Sequence, residues 1–162
     1  MRSGEAVIGL RYFEDTSPDL ICRTLTPEKL VVACSSDHRL AGGKVRSLRS
    51  LKSERWLAFT ERPARQEASA ANIAAQFLTR NVADFNWTPV DSLTAQKRLI
   101  EAGFGMALLP ESSITEELAR KSIATIKVVD LQAANPVSMI MRSGGYLSAA
   151  SRALLDILAS KF

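Results

Sequence analysis

Arginine is the side chain best suited to bidentate contact with carboxylates and phosphates, and this chain concentrates it. Between Arg39 and Arg65 stand eight basic residues (39, 44, 46, 49, 52, 55, 62 and 65) against two acidic ones, Glu54 and Glu61. The whole chain carries 21 Lys and Arg against 17 Asp and Glu, a formal net charge of +4. Such a run reads either as a solvated face or as an attractor for an anionic ligand or an acidic surface. Arg62 and Arg65 are its best-placed members. They fall in a loop between a predicted strand over 55–60 and a predicted helix over 67–80, and open α/β sheets bind ligands at strand ends. A second group is rich in hydroxyls: Thr60 ends the strand, while Ser92, Thr94 and Gln96 open the following helix. Hydroxyls beside the free N–H groups of a helix start form a carboxylate cradle, although capping alone accounts for Ser92 or Thr94 equally well.

The remaining chemistry is sparse. His38 is the lone histidine, so multi-histidine zinc sites and a hydrolytic triad have no basis, and its place in a turn reads as structural. Glu116 and Glu117 are adjacent and point to different sides of a helix, a poor acid–base pair. Cys22 and Cys34 fall inside predicted strands and read as buried free thiols of a reducing compartment. Gly103-Phe104-Gly105 has the wrong order for a dinucleotide loop, because a helix ends there and a strand begins; it reads as a helix stop. No catalytic residue, cofactor or metal site is expected.

The elements that must position these residues follow from hydrophobic periodicity. Apolar runs over 6–10, 20–25, 29–35, 55–60, 86–90, 105–109, 123–129 and 137–141 predict strands, with Thr26-Pro27 closing the second. The run over 29–35 is nearly continuous, as in a strand covered on both faces. Apolar residues three and four apart predict helices over 67–80, from 92 or 94 to about 102, and near the C-terminus through Leu147, Ala150, Leu154 and Ile157. Ser113 and Glu116 have the spacing of a capping box. Strands alternating with helices predict an α/β protein with largely parallel sheets. At 162 residues, 46% hydrophobic and 23% charged, the chain is globular and about one domain in size. Its longest apolar runs, 30–34 and 106–109, fall far short of a membrane span, and residues 1–20 lack a secretory pattern, so a cytoplasmic protein with no membrane partner is expected.

Three segments, taken in order, resemble the effector-binding (substrate-binding) domain of LysR-type transcriptional regulators. Residues 100–110, IEAGFGMALLP, are similar to that family's helix-to-strand segment V-x-A-G-x-G-x-A-L-L-P. Leu25-x-x-Glu28-x-Leu30-Val31-Val32 followed by His38-x-Leu40-Ala41 is the second match, with Arg39 where proline is usual. Residues 4–10, GEAVIGL, are the third, with Val7 where aspartate is common. The resemblance implies a periplasmic-binding-protein-like fold of two α/β lobes, with a small-molecule effector in the cleft between them, and the arginine loop points to an anionic one. It assigns 28–132 to lobe II and 1–27 with 133–162 to a lobe I whose opening units are missing. A DNA-binding helix-turn-helix is likewise absent, so DNA would be met only through that missing N-terminal domain. The implied effector contacts are Thr60, Arg62, Ser92 and Thr94 in lobe II and Arg11 in lobe I. The implied partners are the effector and, in the full-length regulator, copies of itself in a homodimer or tetramer. The function implied is a non-enzymatic ligand-sensing module controlling transcription. A solute-binding protein of a transport system shares the fold and is the alternative.

Overall fold

The computed structural model describes residues 6–12, 17–59 and 73–161. The chain divides into two compact units, Met1–Glu28 with Asn135–Phe162, and Lys29–Ala134.

The Lys29–Ala134 unit is organised by the end of one long strand. Strand β2 (Leu20–Ser35) pairs antiparallel with β6 (Ala107–Pro110), Leu30 opposite Pro110, and with β7 (Ile123–Val128), Val32 opposite Ile126. The short β3 (Lys44–Val45) lies parallel to β7. Because side chains alternate across a strand, Leu30, Val32 and Cys34 enter one core cluster while Val31 and Ala33 enter another. Met106 and Leu108 join the first cluster; Ala107 and Leu109 join the second. Both faces of the strand are therefore covered, which is why its sequence is a continuous apolar run. The first face is closed by the 3₁₀ turn Leu48–Leu51 and helix α1 (Ile73–Leu78), through Leu48, Leu51, Ile73 and Phe77. The second is closed by helix α2 (Leu93–Glu101) through Ile100, by Ile114 and by Leu118 of helix α3 (Thr115–Ala119).

Beside them, β4 (Trp56–Ala58) pairs in parallel with β5 (Trp87–Pro89), and Trp56 bridges in parallel to Met106 at the entry to β6. Trp56 is fully buried, edge-on to Phe77 at 5.5 Å, and its indole N–H donates to Leu51 O at 2.9 Å.

In the other unit, β1 (Ile8–Arg11) pairs antiparallel with β8 (Ala134–Arg142), Arg11 opposite Ser138. Strand β8 is also hydrogen-bonded to β2. Ser148 starts helix α4 (Ala149–Lys161), its hydroxyl accepting from Ser151 N–H at 3.1 Å.

The α/β order is as the pattern predicts, but pairing is mixed rather than largely parallel. Helices follow β4 and β5, and there the neighbours run parallel. Strand β2 leads the chain into its unit without a helical crossover, and its pairs with β6 and β7 are antiparallel. Nor does Pro27 end a strand: β2 runs through it. The ladders to β6 and β7 begin only at Leu30 and Val32, and Pro27 itself is exposed, so its missing N–H disturbs neither ladder. The expected capping box at Ser113 and Glu116 does not form. Residues Glu111–Ile114 make a 3₁₀ turn, and Ser113 Oγ donates backwards to Pro110 O at 2.7 Å.

Candidate functional site

The parallel register of β4 and β5 brings two chain segments out at one end. Ala58 stands opposite Pro89, and Val90 N–H donates to Ala58 O at 2.8 Å. The chain leaving β5 turns at once into α2. Ser92 is that helix's cap: its backbone is extended, and its hydroxyl accepts from Ala95 N–H at 3.3 Å. Of the two residues that could cap this helix, Ser92 does so, leaving Thr94 exposed on the first turn. The first turn holds no acidic residue, so the N–H groups and the positive end of the helix dipole face no carboxylate of their own helix.

Gln96, grouped by spacing with the hydroxyls, has another role. It is buried, its side-chain amide donating to Val90 O at 2.9 Å and its backbone N–H to Ser92 O at 2.9 Å. It locks the turn that presents Ser92 and Thr94. One residue on, Lys97 ties the helix to its neighbour, donating to Ser113 O at 3.0 Å and pairing with Glu117 at 2.7 Å. That ammonium holds the Glu117 carboxyl below the usual carboxylate value, against the opposing effect of burial.

Ser92 and Thr94 are thus brought together at the strand ends. Thr60, Arg62 and Arg65 lie outside the described residues. Arg11 ends β1 in the other unit, half-buried and opposite Ser138.

The basic run is partly neutralised. Arg39 forms an ion pair with Glu54, and His38 Nε2 lies 3.5 Å from the same carboxylate. His38 Nδ1 accepts from Leu40 N–H at 3.2 Å, which fixes the ring within its turn. Near the far end of β7, Asp130 accepts from Ser47 Oγ at 2.6 Å and Leu48 N–H at 2.9 Å, and pairs with Arg80 at 3.3 Å. Burial would raise the Asp130 carboxyl, but these contacts outweigh it and hold it low. Cys34 is a buried free thiol, pushed up to about 11 by burial and then by the charge of Glu54; Cys22 is half-buried. Nothing in the sequence pattern marks the Lys97–Glu117 and Asp130 contacts, whose partners stand far apart in the chain. The ion pair of Arg39 with Glu54 does have a visible sign, the one acidic residue between Lys52 and Arg55. Among the described residues no group of three or more His, Cys, Asp or Glu could hold a metal ion, and no helix is long and apolar enough to cross a membrane.

Comparison with known proteins identifies the family and the fold. The family model described as the LysR substrate binding domain matches residues 1–162. Among solved structures, the regulatory domain of CcmR from Synechocystis PCC6803, in complex with 2-PG, is similar at a TM-score of 0.79 and 21% identity, covering 99% of this chain and 76% of that one. The effector-binding domain of QuiR in complex with shikimate gives 0.79 and 18%, covering 99% and 73%. The BenM effector-binding domain with benzoate gives 0.76 and 20%, covering 98% and 70%. Comparison with curated protein sequences finds no significant match.

Proposed function

This chain belongs to the LysR substrate-binding domain family, and from that premise we propose that it is a ligand-sensing module of a bacterial transcription regulator whose effector is a small carboxylate held at the common end of β4 and β5. The observation that carries the reading is the start of α2. Capped by Ser92, free of acidic residues in its first turn and locked by Gln96, it leaves Thr94 and the first-turn N–H groups to meet an anion. Shikimate and benzoate, which occupy two of the similar domains, are carboxylates. Thr60 and Arg62, in the chain after Phe59, would complete the site, and Arg11 belongs to the same proposed set of contacts. The boundaries 28–132 for lobe II and 1–27 with 133–162 for lobe I belong to the same proposal.

The role proposed is binding, without catalysis. An effector acts on transcription only by preferring one of two states of the protein. DNA would be met through a separate domain, in a cytoplasmic homodimer or tetramer. Isothermal titration with shikimate, benzoate and related small carboxylates tests the site. Thr94→Ala is the cleaner variant, since Ser92 also holds the helix. A ligand bound by the parent chain should lose about tenfold in affinity, the effect of roughly one hydrogen bond to a charged group. Unchanged affinity removes Thr94 from the site.

A further inference from the structure

A pocket of about 360 Å³ opens at the opposite ends of the same parallel strands, where the chain enters β4, β5 and β6. We propose that this pocket is a second ligand site, and that it takes a small zwitterion, an α-amino acid with an apolar or aromatic side chain. The pocket is distinct from the effector site proposed at Ser92 and Thr94, and its size suits a ligand at the lower end of the range for small-molecule sites.

Its walls carry opposite charges at adjacent positions. Glu54 supplies the carboxylate, and its side chain is only 19% exposed. It is held from two sides, by Arg39 and by His38 Nε2 at 3.5 Å. In the neutral ring His38 Nδ1 is the acceptor for Leu40 N–H, so the proton sits on Nε2, on the side of Glu54. A carboxylate has about four lone-pair positions, so two fixed partners leave room for a ligand ammonium. Arg55 supplies the cation. It is exposed, and among the described residues its guanidinium has no ion pair or side-chain hydrogen bond. Asn86 stands beside it at the entry to β5, with its amide likewise uncommitted.

The apolar wall comes from the end of α2. Gly103, at φ +74°, closes that helix, with Gly103 N–H donating to Ile100 O and Phe104 N–H to Leu99 O, both at 2.9 Å. The turn leaves the Phe104 ring 56% exposed on the pocket. Gly105 lets this loop close on the start of β4, because a Cβ there would come within 2.7 Å of Arg55 O. Phe104 and Arg55 are thereby set side by side. An ammonium on Glu54, a carboxylate on Arg55 and Asn86, and an apolar side chain over Phe104 use the charged groups, the free amide and the exposed ring of the pocket at once. A simple anion would meet Glu54 unfavourably, and a simple cation Arg55.

The test is a ¹⁵N–¹H titration of the chain with L-phenylalanine and L-leucine, beside N-acetyl-L-phenylalanine and L-phenylalaninamide, which each lack one charge. The free amino acids should give saturable shifts centred on His38, Glu54, Asn86 and Phe104, and each capped form should bind about tenfold more weakly. Arg55→Gln, at an exposed position, should weaken binding of the free amino acids about tenfold with an unchanged melting temperature. Glu54→Gln should do the same, with folding checked because Arg39 loses its partner. Three results would overturn the assignment: absence of saturable shifts, equal binding of the capped forms, or full affinity in Arg55→Gln. Loss of amino-acid binding in Thr94→Ala would move the ligand to the other strand ends, overturning this site while leaving the proposed effector site standing.

Discussion

Helices α2 and α4 both carry apolar residues three and four apart, yet the two units use that pattern differently. In the Lys29–Ala134 unit the described stripes are covered at their centres: Ile100 of α2, Ile73 and Phe77 of α1 and Ile114 are all buried, Trp56 is closed off completely, and the only large hydrophobic left exposed on these helices is Leu78 at the end of α1. In the other unit α4 buries no residue, and Leu154 and Ile157 stay about half exposed, as do Leu10 and Ile21 on the strands. Periodicity therefore specifies that a helix has an apolar face, whereas burial depends on what the rest of the fold lays against it. Stability should accordingly reside in the first unit.

The largest effect tests that directly. Trp56→Ala removes the centre of the first cluster, its edge contact with Phe77 and the hydrogen bond to Leu51 O, and should cost about 3–5 kcal/mol in urea unfolding. A cost below about 1 kcal/mol would mean that the core is not where the packing puts it.

Next in size is the link between α2 and α3. Lys97→Met strands the Glu117 carboxylate, which has one oxygen already unpartnered, and should cost about 1–3 kcal/mol at neutral pH. The sign with pH follows from the depressed Glu117 carboxyl. Its contribution is fully present above the ordinary carboxylate value and is lost as pH falls through its lower folded value. The parent chain should lose stability on acidification more steeply than Lys97→Met, with Asp130 adding to the slope of both. Parallel acid-denaturation curves would remove the Lys97–Glu117 pair as the cause.

A smaller effect runs in the opposite direction. Lys121 follows α3 at φ +57°, in the place where Gly103 follows α2, and Ser122 N–H donates back to Glu117 O. Lys121→Gly should stabilise by about 0.5–1 kcal/mol, read as a higher urea midpoint. The smallest effect belongs to the other unit: Ile157→Ser, on a half-exposed face, should change stability by no more than about 0.5 kcal/mol. A large loss there would erase the contrast between the units.

Local chemistry was what the sequence made legible. The doubly covered strand 29–35, the cap before α2 and the glycine that ends it are decided within a few residues, and the structure forms each as the pattern indicates. Legibility failed where distant segments decide. Pro27 reads as a strand end, but the strand's partners beyond it begin three residues later. Ser113 and Glu116 have the spacing of a capping box, but a preceding 3₁₀ turn gives Ser113 a different acceptor. Gln96 looks like a ligand group because it sits beside hydroxyls, and only the packing of the β5–α2 turn buries it. Of the candidate effector contacts, Ser92 and Thr94 share one helix start because they are neighbours in sequence; the pocket of His38, Glu54, Asn86 and Phe104 draws on four separate loops and left no motif.

On the function proposed above, a small carboxylate binds at the end of β4 and β5 against the start of α2. The most direct measurement is a ¹⁵N–¹H titration of the chain with shikimate or benzoate, or whichever carboxylate isothermal titration shows to bind. Saturating shifts should concentrate on the amides of Ser92, Leu93, Thr94 and Ala95, with binding weakened about tenfold in Thr94→Ala. A carboxylate that saturates the protein while those four amides stay unmoved would place the effector elsewhere and overturn the site at the start of α2.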